Sequence, residues 1–210
     1  MRSKRTLCAL ALLLAGAACT TTRWYKGNLH THSLWSDGND FPEMIADWYK
    51  KNGYDFLALS DHNILSEGEK WVSDATVARR GGDPTLARYL KRFGKDWVET
   101  REKDETLEIR LKTLAELRPL VEEPGKFLMI RGEEITDRLE RLPIHLNASN
   151  LAELIPPQHG KTVREVMRNN VRAVQQQSEK LGRPILVHLN HPNFGWAITA
   201  EDLAAIERKM

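Results

Sequence analysis

The sequence predicts an α/β fold built on parallel strands. Short apolar runs alternate along the chain with segments in which apolar residues recur at helical spacing, and turn residues separate the two. The runs have few polar residues on either face, which is typical of strands buried on both sides of a parallel sheet. The length of 210 residues and an apolar content of 41% indicate one globular domain. They exclude disordered, collagen-like and coiled-coil proteins.

The first 18 residues have the pattern of an export signal. Three basic residues precede an apolar run over residues 7–18, which is shorter than the roughly twenty residues of a membrane span. We therefore expect residues 1–18 to be a signal peptide and residues 19–23 to be a linker. The whole chain has a formal net charge of +2, and loss of the three basic residues leaves −1. This balance gives no reason to expect a nucleic-acid partner.

Cys19 follows the apolar run directly, and residues 14–19 resemble a bacterial lipoprotein signal in which the cysteine is lipidated. Gly16 departs from this pattern, which usually has Leu at that position. The alternative is cleavage after residues 15–17, an Ala-x-Ala-like site that leaves Cys19 as a free thiol. The other cysteine, Cys8, lies inside the signal, so the mature chain has no internal disulfide. We expect an exported protein of the bacterial periplasm or cell envelope, attached to the membrane through Cys19.

The predicted domain covers residues 24–210 and begins with a strand over residues 24–31 that ends in a polar loop. Pro42 suits the first position of a helix, and the pair at residues 52–53, Asn and Gly, ends the helical spacing that follows. Residues 55–60 are a short apolar run and predict the second strand.

Residues 64–123 are too long and too charged for a simple connection between two elements. Leu107, Leu111 and Leu114 recur at helical spacing, and the sequence Gly-Gly-Asp-Pro at residues 81–84 interrupts the segment. We predict a helical insertion whose charged residues cover solvated helix faces.

Three further strands and two helices complete the prediction. The apolar runs that predict the strands are residues 127–131, 144–148 and 185–190. Thr162 has capping-box spacing with Glu165 and opens a helix that ends at Gly182. Thr199 can cap a final helix.

Potential metal ligands stand at the end of, or in, each of the five predicted strands. They are His30, His32, Asp37, His62, Glu134, His145 and His191. Residues two apart in a strand face the same side, so His30 and His32 can converge on one site. A mixed set of imidazoles and carboxylates suits Zn, Fe or Mn better than Ca or Mg. Because ends of neighbouring parallel strands meet at one edge of a sheet, we predict a metal centre there.

Some of these residues have other interpretations when taken singly. Asp37 also suits a turn, and Asp61 suits a residue that orients a histidine instead of binding metal. Glu133 and Glu134 are adjacent, and alternation in a strand allows only one of them to face the site. His159 is an isolated histidine, for which a hydrogen-bonded or surface position is expected. His188 is expected to point away from His191, and Trp35 and Trp196 either line a pocket or pack beside it.

The order of motifs resembles that of the PHP family, the polymerase and histidinol phosphatase domain. The motifs that carry the resemblance are residues 28–33, 36–38, 60–63 and 132–136, His145, and residues 190–192. The resemblance implies a distorted β/α barrel of seven strands, of which about five are present here. It also implies a centre of two or three divalent ions, Zn, Mn or Fe, that hydrolyses phosphoesters of small molecules.

By motif position, the resemblance makes all seven candidates metal ligands and selects Glu134 over Glu133 as the residue that bridges two ions. His62 or His191 would supply the proton for the leaving group. The family ends its metal site with an Asp-x-His motif, and no such motif follows His191. We expect the chain to be part of a longer product; loss of one metal and ligands supplied from elsewhere are the alternatives.

The predicted function is a metal-dependent phosphoesterase. One alternative is an exported metal-binding protein without catalysis, and another is a hydrolase of carbamate, amide or ester bonds. Proofreading of DNA synthesis, a role of PHP domains attached to polymerases, is disfavoured by export and by the absence of a basic stripe.

Overall fold

The computed structural model describes residues 22–206, which form eight strands and six α-helices. The strands are β1 (Gly27–Asn28), β2 (Phe56–Leu59), β3 (Lys70–Ser73), β4 (Thr100–Lys103), β5 (Thr106–Leu111), β6 (Leu128–Leu139), β7 (Leu142–Ser149) and β8 (Leu186–Leu189). The helices are α1 (Pro42–Lys51), α2 (Asp74–Gly81), α3 (Pro84–Phe93), α4 (Leu114–Val121), α5 (Val163–Leu181) and α6 (Ala200–Ala204). The predicted signal peptide and Cys19 lie outside the described residues. Within the described range, no helix has both the length and the apolar character to span a bilayer.

The main sheet of the described residues contains five strands in the order β1-β2-β6-β7-β8. Strands β1, β2 and β6 are parallel, whereas β7 is antiparallel to both β6 and β8. The α/β class is confirmed, but the prediction that all strands are parallel is wrong for β7. Strands β6 and β7 are joined by a short hairpin, in which Glu140 has a φ of 54°. So short a connection can join only antiparallel neighbours, which is why β7 reverses direction. Within residues 22–206, β1 and β8 remain edge strands, so a closed barrel is not confirmed.

The predicted first and third strands differ from the observed ones in length. Only Gly27–Asn28 pairs as β1, so His30 and His32 lie in the loop that follows. Strand β6 continues well past its predicted end at residue 131, because Gly132 to Leu139 pair with β7. Glu134 therefore lies inside a central strand and not after its end.

The segment over residues 64–123 is not purely helical, which corrects the prediction for it. Strands β3, β5 and β4 form a second, antiparallel sheet, and α2, α3 and α4 accompany it. Leu107 and Leu111 belong to β5, whereas Leu114 begins α4. Ile109 and Leu111, two residues apart, are both fully buried. Buried residues therefore recur here at every second position, which is the spacing of a strand and not of a helix. The interruption at residues 81–84 separates α2 from α3 as predicted.

Helices cover the main sheet through apolar contacts that follow their predicted spacing. Helix α4 contributes Leu117 to a core with Leu57 of β2 and Met129 of β6. Helix α5 packs Val166 and Met167 against β7. Its predicted ends are confirmed, because the Thr162 side chain accepts a hydrogen bond from the Glu165 N–H and Gly182 adopts the left-handed conformation.

A buried carboxylate joins the inserted segment to α1. Glu43 accepts hydrogen bonds at Oε1 from the Tyr89 hydroxyl, at 2.5 Å, and from the Trp97 indole N–H, at 2.9 Å. Burial raises the pKa of Glu43, although both hydrogen bonds oppose that rise. The ring of Tyr89 stacks on Phe41 with centroids 3.9 Å apart. Polar and aromatic contacts thus hold α3 against α1.

Replacing Tyr89 by Phe tests this junction. Tyr89→Phe keeps the ring stacking on Phe41 but removes one donor from a buried carboxylate, so we expect the free energy of unfolding to fall by about 1–2 kcal/mol. Urea unfolding followed by circular dichroism measures the change. Tyr25→Phe is the control, because Tyr25 is 60% exposed and should leave stability unchanged. Equal stability of wild type and Tyr89→Phe would contradict the assigned role.

Candidate metal centre

The centre forms around Glu134, whose side chain is fully buried in the middle of β6. Backbone hydrogen bonds extend the β2 to β6 pairing beyond β2: the Glu134 N–H donates to Asp61 O at 3.1 Å, and the Asn63 N–H donates to Glu134 O at 3.0 Å. This extension places His62 directly beside Glu134 in the sheet. The sequence pattern placed these residues at separate strand ends, and the strand pairing brings them together.

Three imidazoles approach one oxygen of this carboxylate. Glu134 Oε2 lies 2.7 Å from His32 Nε2, 3.1 Å from His62 Nδ1 and 3.3 Å from His30 Nε2. His30 and His32 reach the same oxygen from the loop after β1, which agrees with the expected convergence of two histidines spaced two apart. The loop backbone, and not a strand, provides that convergence.

Two further imidazoles approach the other oxygen. Glu134 Oε1 lies 3.1 Å from His191 Nε2 and 3.3 Å from His145 Nδ1. His145 comes from β7, which the hairpin places next to β6, and His191 follows β8 on the far side of β7. All five histidines of the predicted set therefore surround a single carboxylate.

Asp37 extends the cluster away from Glu134. Its Oδ1 lies 2.8 Å from His32 Nδ1, and its Oδ2 lies 3.4 Å from His62 Nε2. The seven candidates then form three overlapping triplets, and in each the ligand atoms lie within 4.8 Å of one another. The triplets are His30, Glu134 and His191; His32, Asp37 and His62; and His62, Glu134 and His145.

The donor atoms fit a divalent metal because several of them are buried and lie close together without forming a hydrogen bond. His32 Nε2, Glu134 Oε2 and His145 Nδ1 have no hydrogen bond to any described residue, although each lies 2.7 to 3.3 Å from another polar atom of the cluster. Such atoms are costly to bury unless an ion or water satisfies them. Nitrogen and carboxylate oxygen together are the donors that Zn, Fe and Mn accept. The structure thus supports divalent metal binding, without identifying the metal or the number of ions.

The charge balance of the centre favours an ionised carboxylate. Burial by itself raises the pKa of Glu134, but the surrounding polar contacts, with His145, His30 and His32 foremost, hold this pKa well below its usual range. For His62, burial lowers the pKa, so the neutral form that can bind a metal is favoured there.

Asp61 fixes the loop that carries His32 and Asp37. Its carboxylate accepts hydrogen bonds from the backbone N–H and the hydroxyl of Ser33 and from the same two groups of Ser36, at 2.6 to 3.0 Å. The sequence suggested that Asp61 orients a histidine. The structure shows that it orients the segment between two candidate ligands through serines.

Two asparagines help to position Glu134, and the sequence analysis assigned a role to neither, although Asn190 belongs to the motif at residues 190–192. Asn190 Nδ2 lies 2.7 Å from Glu134 Oε1 and also 2.7 Å from Asn147 Oδ1. Asn147 is the cross-strand partner of Glu134, and its Nδ2 donates to Leu29 O at 2.6 Å. The sequence signals were the place of Asn190 in the motif at residues 190–192 and the place of Asn147 two residues after His145. Their role follows from the register of β6 on β7, which the sequence did not specify.

Glu133 faces away from the centre, which decides between the two adjacent glutamates. Its Oε2 accepts a hydrogen bond from the Ile155 N–H at 2.9 Å, and its Oε1 is buried without a partner among the described residues. Burial raises the pKa of Glu133 to about 7. The alternation of side chains in β6 thus places one carboxylate among the histidines and the other beside Ile155, in a separate apolar core.

The remaining residues named from the sequence lie outside the triplets. His188 is in β8 opposite Asn147, on the face of the sheet that also carries His145. Burial, and after it the nearby His30, lowers its pKa, so His188 lies closer to the cluster than the sequence analysis expected. Trp35 is buried and its indole N–H donates to Lys112 O at 3.0 Å, which identifies it as a packing residue. Trp196 is 84% exposed.

Two cavities open beside the cluster. One, of about 630 Å³, is bordered by His32 and by Trp48 and Tyr49 of α1, and the inserted segment contributes Arg88 to it. The other, of about 710 Å³, is bordered by His145 and lies beyond the β6–β7 hairpin. Both volumes are in the range of small-molecule sites.

Comparison with known proteins gives a limited result. No protein-family model matches the chain, and no curated protein matches it. Among solved structures, the chain is similar to a two-domain protein from Bacteroides vulgatus that contains a predicted PHP-like metal-dependent phosphoesterase, with 20% identity and a TM-score of 0.46. The match covers 86% of this chain, and the chain spans 40% of the length of that protein. At this level of similarity we assign neither a family nor an activity from it.

Elemental analysis tests the metal centre directly. We expect protein reconstituted with Zn or Mn to hold about two ions per chain, since the triplets divide into one around Asp37 and others around Glu134. His30→Ala/His32→Ala removes a ligand from two triplets and should lower the content to one ion or fewer. Glu201→Gln, at an exposed position in α6, is the control and should retain the wild-type content. A double variant that folds and keeps all its metal would disprove the assignment.

Glu133 provides a pH-dependent test of the orientation of the two glutamates. The pKa of Glu133 is raised in the folded state, so its favourable contribution is complete below pH about 4.5 and is lost as the pH rises through 7. Relative to Glu133→Gln, wild type should therefore lose about 2.5 kcal/mol of unfolding free energy between pH 5 and pH 8. Urea unfolding of the metal-loaded proteins measures this difference. Glu201→Gln, at an exposed position, should track wild type, and a Glu133→Gln curve parallel to wild type would contradict a raised pKa of Glu133.

Proposed function

We propose that this chain is a metal-dependent hydrolase that cleaves phosphoesters of small molecules. The observation that carries the proposal is the convergence of five imidazoles and two carboxylates, with buried donor atoms that no described residue satisfies. Divalent ions bound there would supply an activated water and neutralise the charge of phosphate oxygens. The seven residues that would hold them are His30, His32, Asp37, His62, Glu134, His145 and His191.

The protein residues around the ligands support this chemistry by fixing geometry. Asp61 holds the loop between His32 and Asp37, and Asn190 holds Glu134, so the donor atoms are positioned before any ion binds. Such orienting contacts keep ligand rings and carboxylates in place and raise metal affinity. This arrangement therefore favours catalysis or tight metal binding over weak, transient binding of ions.

The charge beside the centre favours an anionic substrate. Arg138 and Arg141 border the cavity next to His145, and neither side chain forms a salt bridge or hydrogen bond to any other residue within 22–206. Unpaired guanidinium groups are suited to phosphate, which they bind through two parallel hydrogen bonds. This favours a phosphoester over a neutral ester, amide or carbamate. We also propose export and attachment through Cys19, which would put the substrate in the cell envelope.

Hydrolysis of two nitrophenyl esters tests the proposal. Protein reconstituted with Zn or Mn should hydrolyse 4-nitrophenyl phosphate and lose this activity on chelation. Glu134→Gln should lower kcat/KM by about 100-fold or more, because Glu134 is common to two triplets. Glu201→Gln serves as the control and should retain wild-type activity.

The outcomes separate the competing functions. Turnover of 4-nitrophenyl acetate without turnover of the phosphate would assign a hydrolase of carbonyl compounds. Full metal content without turnover of either ester would favour a metal-binding protein without catalysis. Each of these results would overturn the phosphoesterase.

A further inference from the structure

His159 lies outside the metal triplets but borders the same cavity as His145. The cavity, of about 710 Å³, has His145 of the cluster on its wall and is also bordered by Arg138, Arg141 and His159. Glu140 is the one unpaired acidic residue among the described residues that line it. A phosphoester bound at the centre can therefore extend toward His159.

A buried aspartate fixes both the backbone and the ring of His159. Asp137 has no exposed side-chain surface, and its Oδ1 lies 2.8 Å from His159 Nδ1 while its Oδ2 accepts the His159 N–H at 2.9 Å. The same carboxylate accepts the Arg138 N–H and the Asn170 amide, each at 2.8 Å. Four hydrogen bonds keep this buried group ionised.

The position of His159 is held at a conformational cost. Its φ is 55°, in the left-handed region that residues with a β-carbon rarely adopt. Asn169 holds the same residue by donating to its carbonyl oxygen at 2.8 Å. Despite these restraints the side chain is 73% exposed, and Nε2 has no hydrogen-bond partner among residues 22–206. The anchoring therefore presents one ring nitrogen to the cavity.

The histidines that the sequence suggested as proton donors are less suited to that task. His62 belongs to two of the triplets, and His191 belongs to the third with Glu134. A nitrogen that binds metal has no proton to give. His159 instead has the arrangement of a proton-transfer histidine, in which a buried carboxylate orients Nδ1 and leaves Nε2 for the substrate.

We propose that His159 is the general acid of the reaction and that Asp137 is its positioning residue. This assignment rests on the proposed function. The water oxygen forms a bond to phosphorus as the ester P–O bond breaks, and His159 Nε2–H gives its proton to the departing oxygen. The products are an alcohol and inorganic phosphate, and the proton released by the attacking water restores the imidazolium through solvent. Arg138 and Arg141 attract the phosphate to this cavity.

Two substrates with different leaving groups test the assignment. Benzyl phosphate releases an alkoxide that requires a proton, whereas 4-nitrophenyl phosphate releases a stabilised phenolate that does not. For metal-loaded His159→Gln we expect kcat to fall about 100-fold on benzyl phosphate and less than about threefold on 4-nitrophenyl phosphate. Asp137→Asn should show the same selectivity with a smaller loss. Lys161→Ala changes an exposed side chain in the same loop and is the control.

A second measurement observes His159 without turnover. Inorganic phosphate, added to the Zn-loaded protein, should shift the ¹⁵N resonance of His159 Nε2, and sodium chloride at the same ionic strength should leave that resonance unchanged. The metal content of His159→Gln should equal that of wild type, because the imidazole is not in a triplet. Its melting temperature should fall by a few degrees, because the variant loses the hydrogen bond from His159 Nδ1 to the buried Asp137 carboxylate.

The outcomes distinguish this assignment from the proposed function. His159→Gln could lose activity equally on both substrates or on neither, and the His159 resonance could stay unshifted. Either kinetic result together with the unshifted resonance would mean that Asp137 and His159 only stabilise the loop, and the proposed phosphoesterase activity would still stand. If wild type hydrolyses neither phosphate in the presence of metal, both the proposed phosphoesterase activity and the general-acid role of His159 are wrong.

Discussion

The buried carboxylate of Glu134 is the constraint on which the rest of the site depends. It lies in the middle of β6, between β2 and β7, where a charge without partners would cost several kcal/mol. Five imidazoles and the amide of Asn190 surround it, and these groups come from the loop after β1, the end of β2, β7, and the segment around β8. Satisfying this one side chain therefore requires the main sheet to be assembled in its observed order.

The hairpin between β6 and β7 does the most to place groups around that charge. Its register sets Asn147 opposite Glu134 and His145 opposite Thr136, so one ligand and one orienting amide arrive together. The same hairpin carries Asp137, Arg138 and Arg141 to the cavity beside His145. An uninterrupted parallel sheet would have placed these residues elsewhere, because parallel neighbours require a long crossover between them.

The inserted segment has a separate core and reaches the site from the other side. Its small antiparallel sheet packs Ile109 and Leu111 with Val72 and Tyr89, apart from the core that lies under β2 and β6. Through Glu43 it is held to α1, and through Arg88 it contributes a cation to the cavity beside His32. The two cavities beside the cluster are thus formed by different elements. Helix α1 and the inserted segment border one of them, and the β6–β7 hairpin borders the other.

The sequence by itself determined the α/β class, the boundaries of α1 and α5, and the identity of the residues that cluster, because these follow from local spacing, caps and the chemistry of imidazole and carboxylate. It did not determine the direction of β7, the strands within residues 64–123, or the contacts of Asn147, Asn190 and His159. Leu107, Leu111 and Leu114 fit a helical spacing, although the first two lie in strand β5 and the third begins helix α4. Three positions are too few to distinguish the spacing of a helix from that of a strand. The motif resemblance favoured Glu134 over Glu133, but the contact of Glu133 with the Ile155 N–H and the pairing of His159 with Asp137 depend on register and on a loop that returns to β6. Such contacts join residues far apart in the chain, so only the tertiary structure decided them.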